Sequence, residues 1–405
     1  MSQANPPLPK VRLGRLGLLL MLGALTAFGP LAIDMYLPAL PRLAEVYQAS
    51  PAVVQMTPAT FFAGFAVGQA FYGPITDRYG RKPPLYFSLT LFALASAGCA
   101  LAPTVEWLAA FRLLQALGVA AGVVISRAMV RDLFPPAEMA QVFSTLMLVI
   151  GLAPILAPLA GGYLLAWFDW QSIFWLMSGL SLLCLLVVAL RLDETHRPAV
   201  KPSLRLGPVL RGYGALLADR AFMAYALCGG LSLGGMFAYI AGSPFVLIEL
   251  HGVPAETYGW IFGANAAGFV LFSQLNRRLL RRQTPARVLW DGTALQALAG
   301  LALLAAAATG FGGLWTLLPP LFVYVACIGI ILPNTGALAM GPQGHRAGVA
   351  AALMGTLQFS LAAVAAATVG LLQDGTALPM ALVVALGSVG GFLLRVFVVP
   401  LPRQG

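Results

Sequence analysis

The chain predicts an all-α membrane protein with twelve membrane-spanning helices arranged as two six-helix, pseudo-symmetric halves. Three observations predict it. Of 405 residues, 60% are hydrophobic and only 9% charged, with a mean hydropathy of +0.86, whereas a soluble domain carries about 25% charged residues. Apolar runs of about 20 residues, the length that crosses the hydrocarbon core of a bilayer, recur along the whole chain. Lys and Arg are concentrated in alternate links between those runs, which is the pattern that fixes orientation in a membrane.

Met1 to Arg15 is polar, Pro-rich and basic, and the apolar run behind it lacks an Ala-x-Ala cleavage site, so it reads as a retained first span. The first six runs fall near 16–37, 52–73, 84–102, 107–130, 139–166 and 171–190. The second six fall near 221–248, 256–276, 287–309, 314–339, 347–371 and 377–398. The basic links are those before span 1 and after spans 2, 4, 6, 8, 10 and 12. The opposite side holds Arg42 and mostly acids, among them Glu45, Glu106, Asp169, Glu249 and Asp374. Both termini are therefore expected on the cytoplasmic side, in agreement with an even span count. The longest polar link, 191–219, carries Pro198, Pro202 and Pro208 and separates an N-terminal half (1–190) from a C-terminal half (220–405). A basic link after span 2 recurs after span 8 as Asn276-Arg-Arg-Leu-Leu-Arg-Arg282, without an acid. Paired six-span halves around a midplane site describe a secondary transporter.

The net charge of +10 does not indicate nucleic acid, because the basic residues sit in short links rather than on a solvated face. Cys99, Cys184, Cys228 and Cys327 each lie inside an apolar stretch, which implies neither a disulfide framework nor a metal site. No cofactor is expected beyond protons as the coupling ion.

The densest charge cluster is Gly73-Pro-Ile-Thr-Asp77-Arg78-Tyr-Gly80-Arg81-Lys82-Pro83, a short turn between spans 2 and 3. It resembles the loop signature of the major facilitator superfamily, Gly-x-x-x-Asp-Arg-x-Gly-Arg-Arg/Lys. Phe111-Arg112-Leu-Leu-Gln115-Ala-Leu-Gly118 is similar to the span 4 motif of proton-coupled members. Ala153-Pro154-Ile-Leu-Ala157-Pro158-Leu-Ala-Gly161-Gly162 resembles the span 5 antiporter motif, with alanines where two of its glycines stand. Asp34-Met-Tyr-Leu-Pro38-Ala-Leu-Pro41 resembles the end of span 1 in twelve-span drug:proton antiporters. With Val130-Arg131-Asp132 these stretches point to the bicyclomycin-resistance (Bcr/CflA) branch. The resemblance implies the major facilitator fold, proton-coupled drug efflux across a bacterial inner membrane, and function as a monomer in the lipid bilayer.

The residues suggest roles of their own. Gly73 and Gly80 permit turning and close approach. Asp77, Arg78, Arg81, Arg131 and Asp132 can form a charge network, with Arg81 to Asp132 and Asp77 to Arg131 as the expected pairs. That network is expected to latch the two halves together while the protein faces outward. Arg112, about one and a half turns inside span 4, needs a partner or a wet cavity, and Gln115 shares its face. Asp34 is the one acid within a span of the first half, and an acid that is costly to charge there suits proton uptake and release. Asp291 is instead expected to pair with Arg287, four residues before it. Pro154 and Pro158 bend span 5, and Gly161 and Gly162 allow a close crossing. Gln115, Tyr239, Asn265 and Gln358 are the candidates for a substrate cavity, the resemblance placing spans 7 and 11 along it.

Two other functions compete. Proton-coupled uptake of a polar nutrient would use the same fold, but sparse charge in the second half argues against a sugar or strongly charged substrate, which would want more polar pocket groups. Gly230-Leu-Ser232-Leu-Gly234 matches a hydrolase motif that needs a strand, a turn and a histidine. It lies inside a predicted span instead, so the chain is not expected to be an enzyme.

Overall fold

The computed structural model describes residues 14–134, 136–195 and 206–398. The first thirteen residues, 196–205 in the central link and 399–405 lie outside them, as do the side chains of Asp77 and Arg131. The first half comprises α1 (Arg15–Asp34), α2 (Leu40–Val46), α3 (Pro51–Tyr79), α4 (Lys82–Ala100), α5 (Val105–Leu133), α6 (Pro136–Trp167) and α7 (Gln171–Arg191). A short helix in the central link, α8 (Leu206–Leu217), precedes the second half. There, α9 (Arg220–Pro244), α10 (Ala255–Leu279), α11 (Pro285–Thr309), α12 (Leu314–Met340), α13 (Ala347–Leu371) and α14 (Leu378–Val398) follow in order. Each of the twelve predicted spans coincides with a helix of 19 residues or more. Among the described residues, nine helices are both long and apolar enough to cross a membrane. The long helices that fall outside that criterion are α3, α6 and α10.

Local chemistry explains where the helices begin and end. Pro51 starts α3 at a position where its missing N–H is not needed. Asp219 caps α9 by accepting from the N–H groups of Ala221 and Phe222 at 3.0 and 3.1 Å. Gly310, in the left-handed conformation, closes α11.

Two elements differ from the sequence expectation. Span 1 does not end near residue 37: a 3-10 turn at Leu37–Ala39 joins α1 to α2, giving a helical run from Arg15 to Val46. At 1.5 Å per residue, Asp34 lies about 18 Å before the end of that run. The charged turn is also shorter than its signature. Helix α3 continues to Tyr79 and α4 starts at Lys82, leaving Gly80 and Arg81 between them. Gly73 is therefore helical and turns nothing, and a Cβ there would meet no atom within 4 Å.

Within the first half, α5 packs between α3 and α4, α7 covers α4, and α1 lies against α5 and α6. In the second half, α9 packs on α12, α13 and α14, while α11 joins α12 to α14. The halves meet along two seams, α3 against α13 and α6 against α10.

Candidate functional site

Asp34 is the last residue of α1 and is 4% exposed. Among the described residues no donor bonds its carboxylate and no cation pairs with it. Its surroundings are nevertheless held closely. Arg112, 1% exposed on α5, donates from Nη1 to the carbonyl oxygen of Ala32 at 2.8 Å and to Gln115 Oε1 at 2.7 Å. Gln115 in turn donates to Ser96 Oγ on α4 at 2.8 Å. The last carbonyls of a helix have no partner inside it and carry the negative end of its dipole, so the guanidinium neutralises the end of α1 instead of the carboxylate beside it. Aromatic faces complete its shell, with Phe61 at 4.3 Å and Tyr36 at 4.6 Å from the guanidinium carbon. Tyr36 is itself fixed by a hydrogen bond with Thr57.

Span 5 supports the same point from the other side. Gly161 faces the backbone carbonyl of Met35, leaving no room for a Cβ. Just before it, the stretch from Ile155 to Leu159 meets the second half: Gly259 of α10 lies against the backbone of Leu159, and Gly263 against Ile155. Gly162, the next residue after Gly161, is also buried.

From the second half, the hydroxyls of Tyr239 and Tyr258 lie within electrostatic reach of Asp34. Asn265 donates to Tyr239 Oη at 2.9 Å, and Ser243 and Tyr258 share a hydrogen bond of 3.0 Å. Between the halves stands a cluster of rings. Phe62 and Phe237 are 4.2 Å apart between centroids, Phe65 and Phe359 4.4 Å, and Phe237 and Phe359 5.6 Å. Gln358, half-buried on α13, neighbours Phe359 and lies near Gly230 of α9. Gln115 does not join this group. It is fully buried inside the first half, with both ends of its amide engaged.

The charged turn forms a second centre. Arg81 Nε pairs with Asp132 Oδ2 at 2.8 Å, with side chains 4% and 16% exposed. Glu194 lies beneath the turn, accepting from the backbone N–H of Arg81 at 2.7 Å and of Lys82 at 3.0 Å, so that it caps α4. Gly80, at φ +88°, has room for no side chain, since a Cβ would sit 2.6 Å from a Glu194 oxygen. Thr195 reaches Asp132 at 3.5 Å. Arg78 lies against the ring of Tyr79 and Arg81 on the buried side of the turn. The expected Asp77 to Arg131 pair lies outside the described side chains. The described contacts of the turn join α3, α4, α5 and the residues behind α7, because the turn after span 2 abuts the end of span 4 of its own bundle. Glu194 and Tyr36 were missed by sequence reasoning. The dense basic turn was a signal that a carboxylate must be near, but nothing local shows which one.

Arg287 and Asp291 pair at 3.3 Å on α11. Ser232 lies in the middle of α9 and donates to Gln296 Oε1 at 2.8 Å, a helix-to-helix bond in place of a nucleophile's setting.

Two six-helix bundles that meet along apolar seams, with a buried acid at their junction, define a multi-pass membrane transporter and not an enzyme. The chain belongs to the major facilitator superfamily, whose family model matches residues 21–367. It is 39% identical over 352 residues to an uncharacterized MFS-type transporter, YdgK, of Bacillus subtilis, covering 86% of this chain and 87% of that one. It is 33% identical over 343 residues to a bicyclomycin resistance protein homolog of Haemophilus influenzae, covering 85% and 86%. A multidrug resistance protein, MdtL, of Shigella flexneri is 32% identical over 340 residues, 83% of each chain. Among solved structures, a D-xylose-proton symporter superposes with a TM-score of 0.72 at 17% identity, over 94% of this chain and 98% of the other, which establishes the shared fold.

Proposed function

We propose that this chain exports lipophilic or cationic small molecules across a bacterial inner membrane in exchange for protons. The observation that carries the reading is Asp34: a carboxylate buried at the junction of the halves, with no cation paired to it among the described residues and tyrosine hydroxyls of the other half nearby. A buried charge is costly unless paired, so such a group favours taking a proton or facing a cationic substrate. The resistance names of relatives at 32–33% identity support drugs as the cargo. Arg112 acts as the positioning residue, holding the end of α1 on which Asp34 rides. The phenylalanine cluster with Tyr239, Asn265 and Gln358 offers an adaptable apolar surface for varied substrates.

Export follows by alternating access, with residues 1–190 and 220–405 rocking about the two seams and 191–219 as tether. The turn network of Arg81, Asp132 and Glu194 keeps the first bundle rigid at its cytoplasmic end, both termini being cytoplasmic. The monomer in a lipid bilayer suffices, with protons as the coupling ion and no other cofactor or nucleic acid.

The test is ethidium accumulation in expressing, pump-deficient cells with and without an uncoupler. Uncoupler should abolish the reduced accumulation, and Asp34→Asn should abolish it while expression is kept. Export that persists through uncoupling, or in the Asn variant, would sink the proposal.

A further inference from the structure

The helices bury a second deep arginine that this function does not use. Arg395, near the end of α14, is 1% exposed. Its Nη2 donates to the carbonyl oxygen of Ala286, in the first turn of α11, at 3.2 Å. Its Nε and Nη1 are buried and have no partner among the described residues. Arg112 and Arg81 are buried to a similar depth, but Arg81 meets the carboxylate of Asp132, and Arg112 meets a carbonyl and an amide oxygen. Arg395 has one carbonyl.

Among the described residues no acid pairs with Arg395. Asp291, the carboxylate one turn along α11, is engaged by Arg287 and half-exposed. The remaining neighbours are apolar, aromatic or thiol groups. Gly391 abuts the carbonyl of Cys228 on α9, Phe392 packs on Trp290 at 5.4 Å, and the Arg395 guanidinium carbon lies 5.9 Å from the Trp290 ring centre. A desolvated guanidinium with two open donors is strongly unfavourable without an anion. Its planar fork matches two oxygens of a phosphate better than a single carbonyl.

The location names the anion. Arg395 lies three residues before the end of α14, and Ala286 is the second residue of α11, so the corner between α9, α11 and α14 sits at the basic end of the bundle. Trp290 and Phe392 are only half-buried, so the corner borders the surrounding lipid, and a tryptophan at this level is typical of the headgroup boundary. Arg277, Arg278, Arg281, Arg282 and Arg287 are exposed along the same end, which raises the local concentration of anionic lipid. We propose that Arg395 binds the phosphodiester of an anionic phospholipid of the cytoplasmic leaflet in this corner. The leaflet follows from the orientation given under Proposed function, whereas the binding does not depend on transport.

The experiment counts lipids retained by the purified full-length protein in native mass spectrometry, with phosphatidylglycerol and phosphatidylcholine offered together. Wild type should keep phosphatidylglycerol over phosphatidylcholine by about five-fold, the effect of about one basic group at a membrane surface. Arg395→Gln should lose that preference, and Arg395→Lys should keep part of it. An equal preference in Arg395→Gln, or none in wild type, overturns the proposal. Displacement of phosphatidylglycerol by millimolar inorganic phosphate would assign the site to a soluble anion and overturn the lipid assignment. The melting temperature of each variant in neutral detergent is the folding control; if the Gln variant does not fold, the Lys variant and the phosphate competition decide. Ethidium export serves as a separate readout, so loss of the lipid preference and loss of transport are told apart.

Discussion

Arg112 Nη1 bonds the carbonyl oxygen of Ala32 at 2.8 Å, two residues before Asp34. The one deeply buried arginine of span 4 is thus spent on the backbone that carries the acid, not on the acid. Its charge can steady α1 in either protonation state of Asp34, because the bond does not need the carboxylate.

Replacing Arg112 by Ala should leave two buried acceptors, Ala32 O and Gln115 Oε1, without a donor, at about 1–3 kcal/mol each. The melting temperature in detergent should fall and ethidium export should stop. Arg112→Lys should fold better than the Ala variant yet still export poorly, since a single ammonium cannot reproduce the fork or the stacking on Phe61. Normal export by either variant contradicts the positioning role.

The two glycines of the charged turn should behave oppositely. Gly73→Ala falls in open helix and should be neutral or stabilising by about 0.5–1 kcal/mol. Gly80→Ala combines a left-handed φ with a contact on Glu194, and should cost about 1–3 kcal/mol. Paired thermal melts of the two variants decide this; equal effects would show that the turn is not what constrains Gly80.

Breaking the turn network from its acidic side should be severe. Asp132→Asn removes a charged partner of an almost fully buried Arg81, and losing one member of such a pair costs about 3–5 kcal/mol. Glu194→Gln keeps one acceptor for the α4 cap and should cost less. Melting temperatures that rank the two variants the other way round would reassign the main contact.

The crossing of α6 and α10 should control closure at the acidic end. Gly259→Val places a side chain against the backbone of Leu159 and should hold the halves apart there. All four native cysteines are buried, so a reporter Gln55→Cys at the start of α3 gives a clean signal. Its labelling by a membrane-impermeant maleimide from outside should rise several-fold in the valine background. No change would place the hinge elsewhere.

Tyr239→Phe removes the acceptor of the Asn265 amide while keeping the ring stack on Phe262. Export of ethidium should show a raised KM with a smaller change in maximal rate if Tyr239 lines the substrate path. An unchanged KM would confine it to helix packing.

The class, the twelve helices, the two halves and the charged turn were all legible in the chain itself. Those features depend on runs of apolar residues and on where Arg and Lys interrupt them, and both are local to the chain. It also singled out Asp34 and Arg112, because a charge inside an apolar run stands out without any partner being known. Which groups those charges touch depends on how the helices pack. Arg112 and Ala32 are 80 residues apart, Arg81 and Glu194 are 113 apart, and their meeting depends on how α5 lies against α1 and α7 against α4. The same packing sets Gly161 on the carbonyl beside Asp34 and brings Phe62 and Phe65 against Phe237 and Phe359. Helix formation is written in neighbouring residues, whereas these contacts arise only when whole helices choose their partners.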